Sequence, residues 1–446
     1  MQNGRNRNIF RRGIAAFLTI VIAASLLSGC SRTLSPGDTN SNNGNNTDAQ
    51  ATAAREDLVR TSKISRYFEN IKNDPLSLAA FINYMPKGAD VRLMPSQFVN
   101  PTEVSSDLPF SDVEFENLVA RAIMQRINYL EIIANLTPGQ IIFFDTIHAH
   151  VSFYFRSIGV ENKLVINYLA AVSGDCVGLD FEEELEAALD LYELSDRIVG
   201  IAILPATTAV GYDAFNSQMR AIDEALIARG FASAAEIAAM QTPSVSVGAN
   251  GTTQGLEKDP DEAIDESKQA PKFSIAIDAS FIATTENYAA ALNQITTALD
   301  LGHASRIDYG ASIVYEIDTY GLLKRLATMP ICVTLAPIPD AASSNPLAAD
   351  ASGYEFYSSA GITLSFVSSS SSDEYPDLSA VFAQMVRAHD LKYSDLKALA
   401  YNSFDAAFIT PEQRDVQRER LDEAFLAFER EMAQTIDDLQ LLRTTK

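Results

Sequence analysis

The chain has 446 residues, 47 % of them hydrophobic and 21 % charged, which is the make-up of a folded globular protein and excludes collagen-like, wholly disordered and multi-span membrane classes. Against 58 Asp and Glu stand only 34 Lys and Arg, giving a formal charge of −24. A surface of that sign repels phosphate backbones, so no nucleic-acid partner is expected. Three Cys and four His are too few and too scattered for a disulfide framework or a structural zinc module.

At the start of the chain, Arg5, Arg7, Arg11 and Arg12 precede an apolar run from Ile14 to Leu27. The run is shorter than the ~18–20 residues of a membrane span and ends in small residues, so 1–29 reads as a secretory signal. Leu27-Ser28-Gly29-Cys30 resembles the lipobox of bacterial lipoproteins, which implies cleavage before Cys30 and lipidation there. An ordinary signal with an incidental Cys, or a short uncleaved helix, are the alternatives. Ser31 is similar to the residue found in lipoproteins sorted to an outer membrane, so the expected location is the cell envelope, on the outer membrane where the organism has one. Residues 30–53 are rich in Asn, Ser and Thr and read as a flexible tether, leaving 54–446 as the folded domain.

Within that domain eight short apolar runs read as strands: Ala89–Leu93, Ile127–Ala134, Lys163–Ala171, Arg197–Leu204, Phe273–Ala279, Ser305–Tyr309, Cys332–Ala336 and Ile362–Ser368. Helical periodicity lies between several of them, as in Phe181–Leu194, Glu286–Leu301, Ser312–Thr328 and Leu378–His389. Asp395–Phe408 and Glu412–Leu442 read as two further helices, and the polar segment 241–271 as an inserted loop. Alternating β and α segments imply parallel strands joined by right-handed crossovers, and eight of them close most economically into an α/β (β/α)8 TIM barrel with extra helices at the N- and C-termini. An open doubly wound sheet is the alternative, but no strand is followed by a Gly-rich phosphate loop.

Met85-Pro86-Lys87-Gly88-Ala89-Asp90 resembles the first barrel strand of adenosine deaminases, particularly the secreted branch related to the adenosine deaminase growth factors. Further matches follow in order: Asn128-Tyr129-Leu130-Glu131, Phe143-Phe144-Asp145-Thr146, Arg197-Ile198-Val199-Gly200, Glu286-Asn287-Tyr288, Arg306-Ile307 with Gly310, and Leu396 to Ser403. The resemblance spans roughly residues 75–430. It implies a hydrolytic barrel in which a metal, usually zinc, turns water into hydroxide for attack on a purine.

The stations of that chemistry are altered in this chain. Where the family carries a His-x-His pair on the first strand, the sequence has Arg92, Leu93 and Met94. Asp278-Ala279-Ser280-Phe281 stands in place of the fifth-strand ligand and acid/base Glu, so Asp278 and Phe281 hold those two positions. Tyr309, preceded by Asp308, aligns with the sixth-strand His, and Pro205 with a fourth-strand Gly. Ser369 and Ser370 fall at the paired carboxylates after the eighth strand. The resemblance therefore implies no bound metal and no catalytic residue, although zinc is expected of active relatives. It also implies that Arg92 and Asp278 meet across the barrel mouth as an ion pair, with Asp308 as a third member.

Other polar groups need separate treatment. His148-Ala149-His150 would chelate only if Ile141–Phe155 were a strand; otherwise the two rings are packed or hydrogen-bonded at the barrel rim. His303 and His389 read as solvated residues near helix ends, and Glu182-Glu183-Glu184 as a solvated helix face. Cys176 and Cys332 fall at opposite ends of their strands and are expected to stay unpaired.

The expected function is that of an envelope-anchored, non-catalytic binding or interaction barrel, attached to the membrane through its lipid only. The alternatives are an active purine nucleoside deaminase with a rebuilt site using His148 and His150, and a purely structural dimerising lipoprotein. A purine nucleoside or other small ligand, a second copy and an active paralogue are the partners that these readings allow.

Overall fold

Fully buried apolar runs and short polar connections make parallel strands covered on both faces, and the computed structural model of the protein has eight of them. It describes residues 46–93, 112–134, 136–204, 212–231, 274–278, 293–336, 352–368 and 377–444. The chain divides into two units, 1–57 and 58–446. Of the first, the described part is the helical backbone from Asn46 onward, inside the stretch expected to be a tether. Ala, Gln, Arg and Glu are good helix formers, and their density in 49–57 outweighs the polar composition from which a tether was inferred.

The second unit is the barrel. Its strands are β1 Ala89–Leu93, β2 Tyr129–Ala134, β3 Val165–Val172, β4 Ile198–Ile203, β5 Ile275–Asp278, β6 Arg306–Asp308, β7 Cys332–Leu335 and β8 Thr363–Phe366. Each pairs in parallel with the next in sequence order, which defines the (β/α)8 barrel. Every strand lies within two residues of its expected place.

The helices, in chain order, are α1 Asn46–Ile71, α2 Pro75–Tyr84, α3 Asp112–Met124, α4 Pro138–Ser157, α5 Leu179–Leu194, α6 Tyr212–Ala228, α7 Gln294–Asp300, α8 Thr319–Leu326, α9 Tyr354–Ser359, α10 Leu378–His389, α11 Tyr393–Ala406 and α12 Pro411–Thr444. The expected helix 312–328 is instead a 3-10 turn, Ala311–Tyr315, followed by α8. Asp318 interrupts it by capping α8, its carboxylate accepting the Gly321 N–H at 2.9 Å. The 241–271 insertion lies outside the described residues.

Two apolar layers result. Outside the sheet, helices and strands share a large core with aromatic clusters such as Phe68, Phe81, Tyr393 and Phe428. Inside it lies a smaller cluster that includes Val91, Ile133, Leu169, Ala202, Ala276 and Val367.

Closure between the last strand and the first uses side chains. Asp90 on β1 is buried, and its two carboxylate oxygens accept the N–H and hydroxyl of Ser368, just past β8, at 2.9 and 2.8 Å. Helix α11 covers the same seam: the Ser403 hydroxyl accepts the Ala89 N–H at 2.6 Å, and Gly88, at φ +41°, lies so close that a Cβ there would stand 2.1 Å from the Ala400 carbonyl oxygen. Lys87 is buried beneath, its ammonium donating to the carbonyls of Ile82, Met85 and Gln125. Burial pushes its pKa down to about 7, while three acceptors match its three donors.

Asp90 is therefore the group on which the seam's stability turns. Asp90→Ala leaves the buried Ser368 N–H without this acceptor and is expected to cost about 1–3 kcal/mol in urea unfolding, with Asp90→Asn losing less because one acceptor oxygen survives. Equal unfolding midpoints for Asp90→Ala and the parent would contradict this role.

Candidate functional site

Side chains on successive strand residues alternate between the two faces of the sheet, so the barrel interior receives every second residue. On β6 the short sequence Arg306-Ile307-Asp308 puts Ile307 in the outer core and Arg306 beside Asp308 within the barrel. Both are almost completely buried, at 0 % and 2 % exposure, as is Glu131 of β2 at 0 %. The Arg306 guanidinium donates to Asp308 through Nε at 2.7 Å and Nη2 at 3.1 Å, and to Glu131 and the Ala406 carbonyl through Nη1. Its plane also stacks on Phe408, 4.3 Å from the ring centroid.

The remaining acceptors are satisfied too. Glu131 Oε2 accepts the Phe408 N–H at 2.9 Å and the Tyr129 hydroxyl at 3.3 Å, and Asp308 Oδ1 accepts the Thr334 hydroxyl at 3.0 Å. Burial alone lowers the Arg306 pKa, but attraction first to Asp308 and then to Glu131 outweighs it, so the net shift is upward and the charge stays fixed.

A second ion pair extends the network outward. Arg197 grips both oxygens of Asp145, at 2.7 and 3.1 Å, and donates to Asn167, which in turn donates to Tyr129. Glu131, Asp145, Arg197 and Arg306 all lie in the segments that carried the family resemblance, but their pairing was not anticipated. The detectable signal was Arg306-Ile307-Asp308 itself, two opposite charges two residues apart in an apolar strand, which alternation must place on one face.

At the carboxyl end of the strands, where βα loops of such barrels build their sites, the picture changes. Of the carboxylates described on the strands themselves, Asp308 lies nearest that end, and its oxygens are taken up by Arg306 and Thr334. Tyr309 has φ +60°, a left-handed conformation that costs roughly 1–2 kcal/mol for a residue with a Cβ. Its N–H donates to Thr334 at 3.1 Å, its ring joins the apolar cluster inside the barrel, and its hydroxyl donates to the Ser368 carbonyl at 3.4 Å. The ring thus reaches from β6 toward the end of β8.

For Arg92 and Asp278 the backbone alone is described. Asp278 pairs in register with Asp308, whereas Arg92 pairs with Ile132, a residue of the outer core; Val91 is the one in register with Glu131. The expected Arg92–Asp278 pairing concerns side chains outside the described ones; the counter-ion of Asp308 is Arg306. Met94, Pro205, Phe281, Ser369, Ser370 and Cys30 lie outside the described residues.

Several secondary expectations are corrected. The His148 and His150 segment is helix α4 and not a strand, begun by a capping box in which Thr137 and Gln140 bond each other's backbone, with Pro138 in the first turn. Two residues apart on a helix, the rings diverge: His150 is exposed, while burial and then Arg197 lower the His148 pKa. His303 is bonded to Asp223 at 2.7 Å, and His389 to Glu355 at 3.2 Å with its ring against Tyr354, so neither is simply solvated. Glu184 is not on a free face: it accepts the Ser173 N–H at 2.8 Å and the Cys176 thiol at 3.1 Å. Both described cysteines are free; burial and then Glu184 push Cys176 up to about 11, and burial raises Cys332.

Whether these residues fit a catalytic metal follows from their chemistry. A zinc site needs three or four neutral imidazoles, thiolates or free carboxylates converging on one point. Among the described residues no group of three such side chains converges, and Asp308 is held by a guanidinium that cannot coordinate. The described residues do not fit the metal.

These features define a (β/α)8 barrel whose strands are interlocked by a buried charged network around Arg306. The sequence model of the adenosine deaminase family matches residues 193–424, more than half of the chain. The chain belongs to the adenosine deaminase family. No curated protein sequence matches it.

Among solved structures, an amidohydrolase from Burkholderia ambifaria with bound zinc is similar at 14 % identity, covering 81 % of this chain and 94 % of that one with a TM-score of 0.49. An adenine deaminase from Arthrobacter aurescens is similar at 15 % identity, with 76 % and 98 % covered and a TM-score of 0.45. The N6-methyl-AMP deaminase of Arabidopsis thaliana is similar at 14 % identity, with 78 % and 98 % covered and a TM-score of 0.44.

The buried trio predicts a one-sided sensitivity. Arg306→Met strands two buried carboxylates and is expected to cost on the order of 3–5 kcal/mol by urea denaturation, and Arg306→Lys to lose most of the same stability because an ammonium cannot reproduce the fork. A loss below 1 kcal/mol in both variants would show that the trio does not hold the barrel.

Proposed function

We propose that the protein is a non-catalytic member of the adenosine deaminase family, anchored in the cell envelope through Cys30 and using its barrel as a binding or interaction module. The observation that carries this reading is the engagement of Asp308 by Arg306 and Thr334 at the end of the strands. Hydrolytic deamination requires a hydroxide generated at neutral pH and an acid to protonate the departing amine. A carboxylate neutralised by a fixed cation supplies neither a ligand nor a proton. The sequence supports the same reading, with Arg92, Met94, Phe281, Ser369 and Ser370 where the family's ligands and acid fall. A purine nucleoside is the class of small ligand that the family suggests.

Two measurements test the reading. Purified, tag-free protein is expected to carry no stoichiometric zinc and to give no conversion of adenosine to inosine followed by ultraviolet absorbance. Conversion that scales with protein concentration and is lost on chelation would overturn it.

Anchoring is tested separately. The parent is expected to partition into the detergent phase of a Triton X-114 extraction and Cys30→Ala into the aqueous phase. Equal partitioning of the two after signal processing would remove the lipid from the proposal.

A further inference from the structure

Helix α4 has a second face that the barrel does not use. Its inner side, including Ile141, Phe144 and Val151, is buried in the core. Its outer side carries Ile142 at 68 % exposure, Phe143 at 43 %, Phe153 at 69 % and Tyr154 at 50 %, with exposed Thr146 and Ala149 between them. Between Ile142 and Phe153 the stripe presents no Lys, Arg or Glu, and the nearby Asp145 is turned onto Arg197; the exposed His150 lies beside it and the exposed Arg156 one turn beyond Phe153. A surface helix ordinarily gives that face to charged residues, and the chain as a whole carries −24.

The order of sizes along the stripe identifies what fits it. Ile142, Thr146, Ala149 and Phe153 are spaced i, i+4, i+7, i+11, the seam of a helix that packs against another helix. Large, small, small, large reads the same in both directions. A second copy laid antiparallel across the midpoint therefore sets Ile142 against the partner's Phe153 and Thr146 against the partner's Ala149, with small residues where the helix axes approach most closely. Such a patch is isologous, as two-fold symmetry requires.

The available area is of the right order. The four large side chains and the neighbouring Ile158, 39 % exposed, present on the order of 550 Å² before Thr146 and Ala149 are counted, against about 800 Å² per partner in a standard interface. Two strongly acidic copies repel over most of their surfaces, and this stripe, where the neighbouring carboxylate, Asp145, is bound by Arg197, is where they approach without opposing free carboxylates.

We propose that the protein forms a two-fold dimer through antiparallel packing of α4 on α4. The inference stands independently of whether the barrel is catalytic. Sedimentation equilibrium of the full chain, in detergent density-matched to the solvent, is expected to give a dimer at tens of micromolar. Ile142→Glu and Phe153→Lys should each shift it to monomer, by at least a tenfold rise in Kd, while leaving thermal unfolding unchanged. The double variant Ile142→Glu/Phe153→Lys places opposite charges against each other only in the antiparallel arrangement and should recover the dimer. A monomeric parent, a dimer unaffected by either single variant, or a double variant that stays monomeric would each overturn the proposal. So would a monomeric parent that floats with neutral phosphatidylcholine vesicles even as Cys30→Ala, an outcome that assigns the stripe to a membrane surface.

Discussion

One guanidinium at the centre of the barrel sets the terms for everything around it. Arg306 is wholly buried, and an unpaired charge there would cost far more than the few kcal/mol by which domains are stable. The fold meets that demand from three directions: Asp308 on the same strand, Glu131 on the opposite side of the barrel, and the Ala406 carbonyl at the end of α11. Because each partner belongs to a different element, β2, β6 and α11 cannot shift independently. Phe408 completes the arrangement by stacking on the guanidinium and bonding Glu131 through its backbone, so the segment after α11 seals the base of the barrel.

This division of labour explains which likenesses to the family survive. In (β/α)8 barrels the amino-terminal end of the strands serves stability and the carboxyl-terminal end serves chemistry. Glu131, Asn167, Arg197 and Arg306 build the lower network, and Gly88 and Ser403 hold α11 against the seam. Every one of these acts on the frame. A fold can thus keep a family's scaffold while its site changes, which is why membership alone does not carry the activity.

The barrel was legible because its strands are short, buried on both faces and separated by amphipathic segments, so periodicity alone located all eight. Local chemistry was harder. Helix α4 is apolar enough on both faces to pass for a strand around His148 and His150, and only the Thr137 to Gln140 capping box distinguishes it. The 3-10 break before α8 depends on Asp318 choosing a cap over an interior position, a contest between a side chain and its own backbone that periodicity does not register. Ion pairs across the barrel are invisible for a different reason: Arg306 and Glu131 are separated by 175 positions, and only the barrel's curvature brings them together.

The trio also links the frame to the mouth, and the link runs through Asp308. Its carboxylate and the Arg306 guanidinium depend on each other. Next to it, Tyr309 keeps its left-handed turn with the ring against the interior cluster. Freeing Asp308 for a cation would in turn leave Arg306 with Glu131 as its single carboxylate partner. Stability therefore claims this carboxylate: whatever the loops beyond the strands carry, Asp308 is part of what holds β2, β6 and α11 together.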